Sequence, residues 1–149
     1  MTTIEIRTHT ALHVLKGAAV KVLGARWTAG VHVKGNHGRL TLQYHRKPTP
    51  EEVTQIEELA NSKIREDAPV EVTDMDRTEA EELWGDAIYD LFAIPSAITR
   101  LSILHIPDWN VNACNKQHTS TTAQIGRLTL TKTRHRATKK LLEISYDIQ

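Results

Sequence analysis

Residues 26–45 read RWTAGVHVKGNHGRLTLQYH, and this stretch decides the fold class. Apolar and polar side chains alternate on both sides of residues 35–38, where two glycines enclose an asparagine and a histidine. Alternation with a period of two indicates a half-buried strand, and glycine beside asparagine is typical of the turn between antiparallel strands. We therefore predict a β-hairpin here.

Two helices are predicted on either side of this hairpin. The first runs from about Thr8, carries an apolar stripe at helical spacing, and stops at Gly24. The second begins at Thr49, whose hydroxyl caps the helix, and continues through Pro50 and two acids. Proline and acidic residues in the first turn suit the positive end of a helix. We expect this helix to end near Asp67.

The remaining elements are a third helix and several strands. A capping box of Asp76 and Glu79 is predicted to begin a short helix that reaches Trp84. Strands outnumber helices, so the predicted fold class is α+β, with helices packed on a largely antiparallel β-sheet. These other strands are predicted at residues 4–7, 70–74, 100–106, 109–113, 127–135 and 140–148.

Length and composition exclude several classes of protein. A chain of 149 residues is expected to form one domain, and no apolar run approaches the roughly eighteen residues that span a bilayer. The first five residues lack the pattern of a signal peptide. The single cysteine excludes an intrachain disulfide. We expect a soluble cytoplasmic protein, monomer or homodimer, with no membrane partner.

Charge is distributed unevenly along the chain. Residues 109–142 contain seven lysines or arginines and no acid, whereas residues 51–90 contain fourteen acids and three bases. A basic segment of this kind either contacts a nucleic acid or forms the solvated face of a hairpin. Charge alone leaves both interpretations open.

Two pairs of residues have the chemistry of metal ligands. His9 and His13 lie four residues apart in a predicted helix, so their rings project from one face about 6 Å apart. Cys114 and His118 repeat this spacing about a hundred residues later. Three imidazoles and one thiolate suit a tetrahedral zinc ion. Spacing alone also allows an alternative in which the two pairs are ordinary polar residues that bind no metal.

The same residues carry a resemblance to a known family. His9-Thr10-Ala11-Leu12-His13 resembles the H-T-x-x-H motif of the editing domain of alanyl-tRNA synthetases, and residues 114–118 fall where that family has C-x-x-x-H. Residues 122–126, TAQIG, look like the family's following T-G-E-I-G. The resemblance covers nearly the whole chain and is closest to the small, free-standing AlaX proteins. It implies that residues 1–149 form a single aminoacyl-tRNA editing domain.

This resemblance implies a Zn²⁺ cofactor held by His9, His13, Cys114 and His118, and hydrolysis in trans of mischarged tRNA(Ala). Ser-tRNA(Ala) is the expected substrate, together with Gly-tRNA(Ala), because a pocket shaped for alanine excludes glycine and serine poorly. The expected partner is therefore aminoacylated tRNA(Ala). Zinc either activates a water or polarises the ester, or it only positions the substrate. No catalytic residue is assigned from the sequence.

Four residues near the motifs are predicted to bind substrate. The resemblance favours a hydrogen bond from Thr10 to the serine side chain, although a threonine at a helix start also caps backbone N–H groups. Lys116 and Gln117 either meet phosphate or ribose, or lie in a solvated loop. Asn112 either contacts the substrate or caps a turn.

Two other functions remain open at this stage. One is a non-catalytic, zinc-stabilised module that binds tRNA. The other is a metallohydrolase of small molecules that shares only the metal site. The basic segment favours RNA and argues weakly against the small-molecule enzyme.

Overall fold

The computed structural model describes residues 1–149, and its three α-helices and two antiparallel sheets confirm the α+β class. The helices are α1 (Thr3–Leu23), α2 (Pro50–Arg65) and α3 (Arg77–Trp84). Two short 3₁₀ helices cover Gly85–Ile88 and Thr122–Ile125. The strands are β1 (Thr28–Lys34), β2 (His37–Gln43), β3 (Glu71–Asp76), β4 (Arg100–Ile106), β5 (Asn110–Ala113), β6 (Leu128–Arg136) and β7 (Leu141–Ile148). None of the helices combines the length and apolar character needed to cross a membrane.

The strands form two sheets rather than the single sheet expected. The larger has the order β1-β2-β7-β6, and the smaller has the order β3-β4-β5. The hairpin predicted at residues 26–45 is confirmed, since β1 pairs with β2 in antiparallel register. Its turn uses Gly35 at φ +57°, a conformation that glycine adopts without the steric cost of a side chain. The strands predicted at residues 127–135 and 140–148 are confirmed as β6 and β7, which also pair in antiparallel register.

The strand predicted at residues 4–7 is wrong, because α1 already begins at Thr3. A capping box starts the helix: the Thr2 hydroxyl accepts a hydrogen bond from the N–H of Glu5, and the Glu5 carboxylate accepts one from the N–H of Thr2. Threonine followed three residues later by glutamate is the sequence pattern of this cap. The helix therefore begins five residues earlier than predicted, about one and a half turns, because the short apolar alternation resembled a strand.

The starts of the other two helices differ in their caps. Thr49 caps α2 as predicted, and Glu52 completes a capping box there. The capping box predicted at Asp76 and Glu79 is wrong, because no side-chain hydrogen bond caps α3. The Asp76 carboxylate instead accepts a hydrogen bond of 2.9 Å from Arg100 on the neighbouring strand. A charged partner thus draws the carboxylate away from the helix end.

Strand β4 connects two apolar cores. Successive side chains of a strand point to opposite faces, so β4 contributes to a core on each side. Leu104 and Ile106 join the main core, which includes the buried face of α1, whereas Leu101 and Ile103 join a small core beneath α3. Because β5 pairs with β4, this arrangement places the end of β5 beside α1.

Candidate metal centre and its cavity

Helix α1 presents His9 and His13 on one buried face. The two residues are 3% and 6% exposed, and their ring centroids lie 5.2 Å apart in an edge-on arrangement. This separation agrees with the one-turn spacing expected for residues four apart in a helix. The sequence prediction that both rings share a helix face is therefore confirmed by the geometry.

Cys114 and His118 approach this helix face from a different part of the chain. Cys114 follows β5, and its N–H continues the strand ladder by donating to the carbonyl of Ser102 at 2.9 Å. Its Sγ lies 3.3 Å from Nε2 of His9. The His118 ring centroid is 5.1 Å from the ring centroids of both His9 and His13. All four ligand atoms lie within 4.8 Å of one another.

Three ring nitrogens of this cluster lack partners within the protein. Nε2 of His13 and both ring nitrogens of His118 are buried and form no hydrogen bond. Buried polar atoms without partners are rare in folded proteins, and each one calls for an explanation. Three nitrogens and a sulfur converging on one point supply that explanation, because together they can hold a metal ion.

The environment keeps the imidazoles in their neutral form. Burial lowers the pKa of His9 to about 4 and that of His118 to about 4, and it lowers the pKa of His13 well below its usual range. Burial also raises the pKa of the Cys114 thiol. Neutral imidazoles are ready to ligate a cation, whereas the thiol must first lose its proton.

A second layer of contacts orients the cluster. The Asn110 side-chain amide lies next to His13, with 3.3 Å between Asn110 Nδ2 and His13 Nδ1. The N–H of Thr119 donates to the Thr10 hydroxyl at 3.0 Å, which ties the residue after His118 to helix α1. Contacts of this kind fix the orientation of metal-binding histidines and so affect the affinity for the metal.

The cluster opens onto a cavity of about 380 Å³. His9, His13 and Cys114 line one part of its wall. The volume is in the range of sites that bind small molecules or parts of larger ligands. Apolar residues from three regions of the chain make up much of the remaining wall: Leu12, Val31, Leu40, Ile94, Ile98 and Leu101.

Three polar residues that sequence reasoning missed also line this cavity: Lys16, Thr28 and Asp90. Lys16 donates a hydrogen bond to the hydroxyl of Thr28, which is buried. Asn112 donates to the carboxylate of Asp90 at 3.2 Å. Burial lowers the pKa of Lys16 to about 8 and raises that of Asp90. Lys16 follows His13 by three residues, so helical spacing offered a signal for it. No local pattern marked Thr28 or Asp90.

The four predicted substrate residues occupy different positions relative to the cavity. Asn112 and Lys116 line it, whereas Thr10 and Gln117 do not. Thr10 is fully buried, and its hydroxyl donates to the carbonyl of Ile6 while accepting from Thr119. Since that hydroxyl already has a donor and an acceptor within the protein, its contacts favour an anchoring role over direct contact with a substrate. Substrate binding by all four residues remains a prediction.

The basic segment forms an exposed surface on β6 and the following turn. Arg136 pairs with Glu143 at 3.4 Å, but the other cations on this hairpin have no acidic partner within ion-pairing distance. These exposed cations are Arg127, Lys132, Arg134, Lys139 and Lys140.

An α+β fold with a buried His-His-Cys-His cluster at a cavity defines a protein with a candidate metal-binding active site. The chain is a homologue of one segment of alanine–tRNA ligases. It is 43% identical over 124 residues to the ligase of Hyperthermus butylicus, which covers 83% of this chain and 13% of the ligase.

Two further relatives agree. The alanine–tRNA ligase of Methanopyrus kandleri is 40% identical over 80% of the chain, and that of Pyrococcus furiosus is 38% identical over 87%. The chain spans only 13% and 14% of these two ligases. No family model matches the chain. The resemblance to alanyl-tRNA synthetases predicted from the motifs is confirmed.

We expect the metal-free protein to lose stability as the pH falls from about 6.5 to 4. In this window the unfolded chain binds protons at His9 and His118, whose folded pKa values are lowered to about 4, so the free energy of unfolding rises with pH. Each histidine contributes roughly 1.4 kcal/mol per pH unit there. Urea unfolding at several pH values, with a chelator present, measures the slope.

A matched pair of variants assigns the slope to the cluster. His9→Asn removes one titrating group and should flatten the pH dependence, whereas His32→Asn alters an exposed histidine of β1 and should leave it unchanged. A slope that both variants share with the parent protein contradicts the assignment.

Proposed function

We propose that this chain is a zinc-dependent aminoacyl-tRNA deacylase that hydrolyses Ser-tRNA(Ala), and also Gly-tRNA(Ala), in trans. In this proposal residues 1–149 form one editing domain that acts in the cytoplasm, as a monomer or homodimer. One observation carries it: the His-His-Cys-His cluster opens onto a cavity that also contains a hydroxyl, an amine and a carboxylate. Homology to a segment of alanine–tRNA ligases supplies the substrate class.

Zinc fits the residues of the cluster. His9, His13 and His118 offer neutral nitrogens, three of which have no other partner, and Cys114 offers a sulfur. This is a donor set that zinc prefers, and the harder cations Mg²⁺ and Ca²⁺ prefer oxygen ligands. When bound, zinc supplies either Lewis-acid activation or a fixed point of attachment for the aminoacyl ester.

The hydroxyl of Thr28 is well placed to recognise a serine side chain. A lysine ammonium only donates hydrogen bonds, so the Thr28 oxygen accepts from Lys16 and keeps its own proton free. No protein atom accepts that proton, and Thr28 lines the cavity. A seryl group can accept it, which supports serine as the preferred aminoacyl group.

The exposed cations of the β6–β7 hairpin support tRNA as the partner. Five of them have no acidic partner and face solvent, as expected of a surface that contacts a phosphate backbone. Lys116 belongs to the same basic segment, residues 109–142, and lines the cavity. We propose that these cations hold the acceptor end of tRNA(Ala) while the aminoacyl group enters the cavity.

A side-by-side deacylation assay tests the proposal. Ser-, Gly- and Ala-tRNA(Ala) are incubated with zinc-loaded protein, with and without a chelator, and release of the amino acid is measured. We expect rapid release of serine, measurable release of glycine, little release of alanine, and loss of all three activities with the chelator. Serine release at the rate of buffer alone, by protein that binds the tRNA, would reject the hydrolase.

The second candidate function is a non-catalytic, zinc-stabilised tRNA-binding module, which the exposed cations also favour. It predicts strongly salt-dependent tRNA binding without deacylation, because counterion release dominates contacts with phosphates. The deacylation assay separates the two candidates, since both predict binding and only one predicts release of serine.

Replacing Thr28 with valine should lower kcat/KM for Ser-tRNA(Ala) about tenfold and affect Gly-tRNA(Ala) much less. The variant keeps the branched shape but removes the hydroxyl that a seryl group would contact. Thr28→Ser restores the hydroxyl and should restore the preference for serine. Deacylation rates of both substrates give the ratio directly.

Thr10→Val is the comparison that separates the two threonines. It removes a buried hydroxyl with two partners, so it should destabilise the fold by about 1–3 kcal/mol and leave the serine-to-glycine ratio unchanged. A changed ratio in Thr10→Val, with none in Thr28→Val, would instead support the recognition role predicted for Thr10 from its motif.

A further inference from the structure

We infer that Asp90 binds the α-ammonium group of the aminoacyl moiety and restricts this site to esters whose amino group is free. The inference rests on the proposed function, because it assumes that the cavity receives an aminoacyl group. It adds a specificity: peptidyl-tRNA and other N-acylated esters are excluded at the same site that accepts seryl and glycyl esters.

Asp90 is the only carboxylate that lines the cavity. It is partly buried, and one of its oxygens accepts a hydrogen bond of 3.2 Å from Asn112. The other oxygen receives no hydrogen bond from the protein. An ionised carboxylate offers about four acceptor sites, so a partly buried one with a single donor has unused capacity for a ligand.

The position of Asp90 is fixed by its neighbours. The next residue, Leu91, donates its N–H to the carbonyl of Thr28 at 2.8 Å, which holds the loop against β1. Asn112 also donates to the carbonyl of Ile88, so one amide group links both ends of the segment. The carboxylate and the Thr28 hydroxyl therefore line the same cavity from anchored positions, and a site built on such fixed groups favours one ligand geometry.

The other charges that line the cavity are all positive, namely those of Lys16, Lys116 and Arg100. Arg100 already pairs with Asp74 and Asp76. Lys16 donates to Thr28 and attracts Asp90 electrostatically, but from beyond ion-pairing distance, so the carboxylate has no cation in direct contact. Asp90 is thus the single carboxylate in the cavity that can pair with an ammonium. Lys16 and Lys116 face the same space and repel one, so an ammonium is confined to the carboxylate.

An N-acylated ester has no positive charge and a larger substituent at this position. Binding it would leave the Asp90 carboxylate partly desolvated without a compensating charge, which is unfavourable. Discrimination of this kind comes from the unpaired group that the wrong ligand leaves behind, and it can be large. We therefore expect free-amine ligands to bind at least about tenfold more tightly than their N-acetyl counterparts.

Binding of two hydrolysis-resistant ligands tests this directly. The probes are 3′-(L-seryl)amido-3′-deoxyadenosine and its N-acetyl derivative, titrated calorimetrically into zinc-loaded protein. For the parent protein we expect the free-amine probe to bind at least about tenfold more tightly. In Asp90→Asn, which keeps the shape and the contact to Asn112, the preference should fall to about twofold or less.

Controls separate charge recognition from a general loss of structure. Asp86→Asn neutralises an exposed carboxylate four residues away, which pairs with Arg26 outside this cavity, and should retain the preference. Zinc content should be the same in all three proteins. A structural role for Asp90 would weaken both probes equally and leave their ratio unchanged.

Equal affinity of the two probes for the parent protein, or binding of neither, overturns the inference without any variant. A preference that persists in Asp90→Asn overturns it as well. The proposed function is judged separately by release of serine from Ser-tRNA(Ala). A protein that hydrolyses this ester but does not distinguish the probes keeps its function and loses the role of Asp90.

Discussion

Replacing Cys114 with alanine should lower the affinity for zinc about 100-fold and abolish the proposed deacylation of Ser-tRNA(Ala). The apparent binding free energy of structural zinc is about 12 kcal/mol for four ligands, so one ligand is worth roughly 3 kcal/mol. Both zinc affinity and activity should fall, because Cys114 is one of the four candidate ligands and also lines the cavity. Competition with a chromogenic chelator measures the affinity, and amino-acid release measures the activity.

The neighbouring residue provides a matched control for this prediction. Asn115→Ala alters an exposed side chain next to Cys114 that is not part of the cluster, and should keep the zinc stoichiometry. One zinc per chain retained by Cys114→Ala at the affinity of the parent protein counts against ligation by the thiolate. Loss of activity with zinc retained would assign the thiol a different role.

If the cluster binds zinc as proposed, removing it should lower the free energy of unfolding by about 5 kcal/mol relative to protein at 10 µM free zinc. A nanomolar dissociation constant, as expected for a four-ligand site, corresponds to a ligand excess of about 10⁴-fold under these conditions. For a domain of about this size the loss corresponds to a Tm lower by roughly 10–20 °C. Calorimetry of the same sample with zinc, with a chelator, and after zinc is restored measures the difference.

The cluster variant tests the origin of this stabilisation. In Cys114→Ala the gap in Tm between zinc-loaded and chelated protein should shrink, because the remaining three ligands bind more weakly. A gap as large as that of the parent protein would place the stabilising ion elsewhere. An unchanged Tm after complete removal of zinc would show that zinc does not bind preferentially to the folded chain.

The sequence predicts the elements that local chemistry determines. The hairpin of β1 and β2 follows from alternation and a glycine turn, and the start of α2 follows from Thr49 and its acids. The strand predicted at residues 4–7 is wrong because a three-residue apolar alternation also fits the first turn of a capped helix. The cap at Asp76 is wrong because Arg100, distant in sequence, binds the carboxylate.

In the candidate site, too, the sequence predicts the residues that share a local pattern and misses those that only the fold brings together. Spacing identifies His9 with His13, and Cys114 with His118. Only the pairing of β5 with β4 and the packing of β5 against α1 bring the two pairs together. Thr28 and Asp90 come from a strand and an irregular segment, and neither carries a local pattern. Residues of this kind become recognisable only when the fold places them around one cavity.

The distance in sequence between the two halves of the cluster has a consequence for how the chain matures. About a hundred residues separate His13 from Cys114, so an ion bound by all four side chains closes a loop that contains most of the chain. Such a cross-link restricts the unfolded ensemble much as a disulfide of the same span does. During synthesis the first half of the cluster offers only two donors, so capture of an ion by all four side chains requires that His118 has also been made.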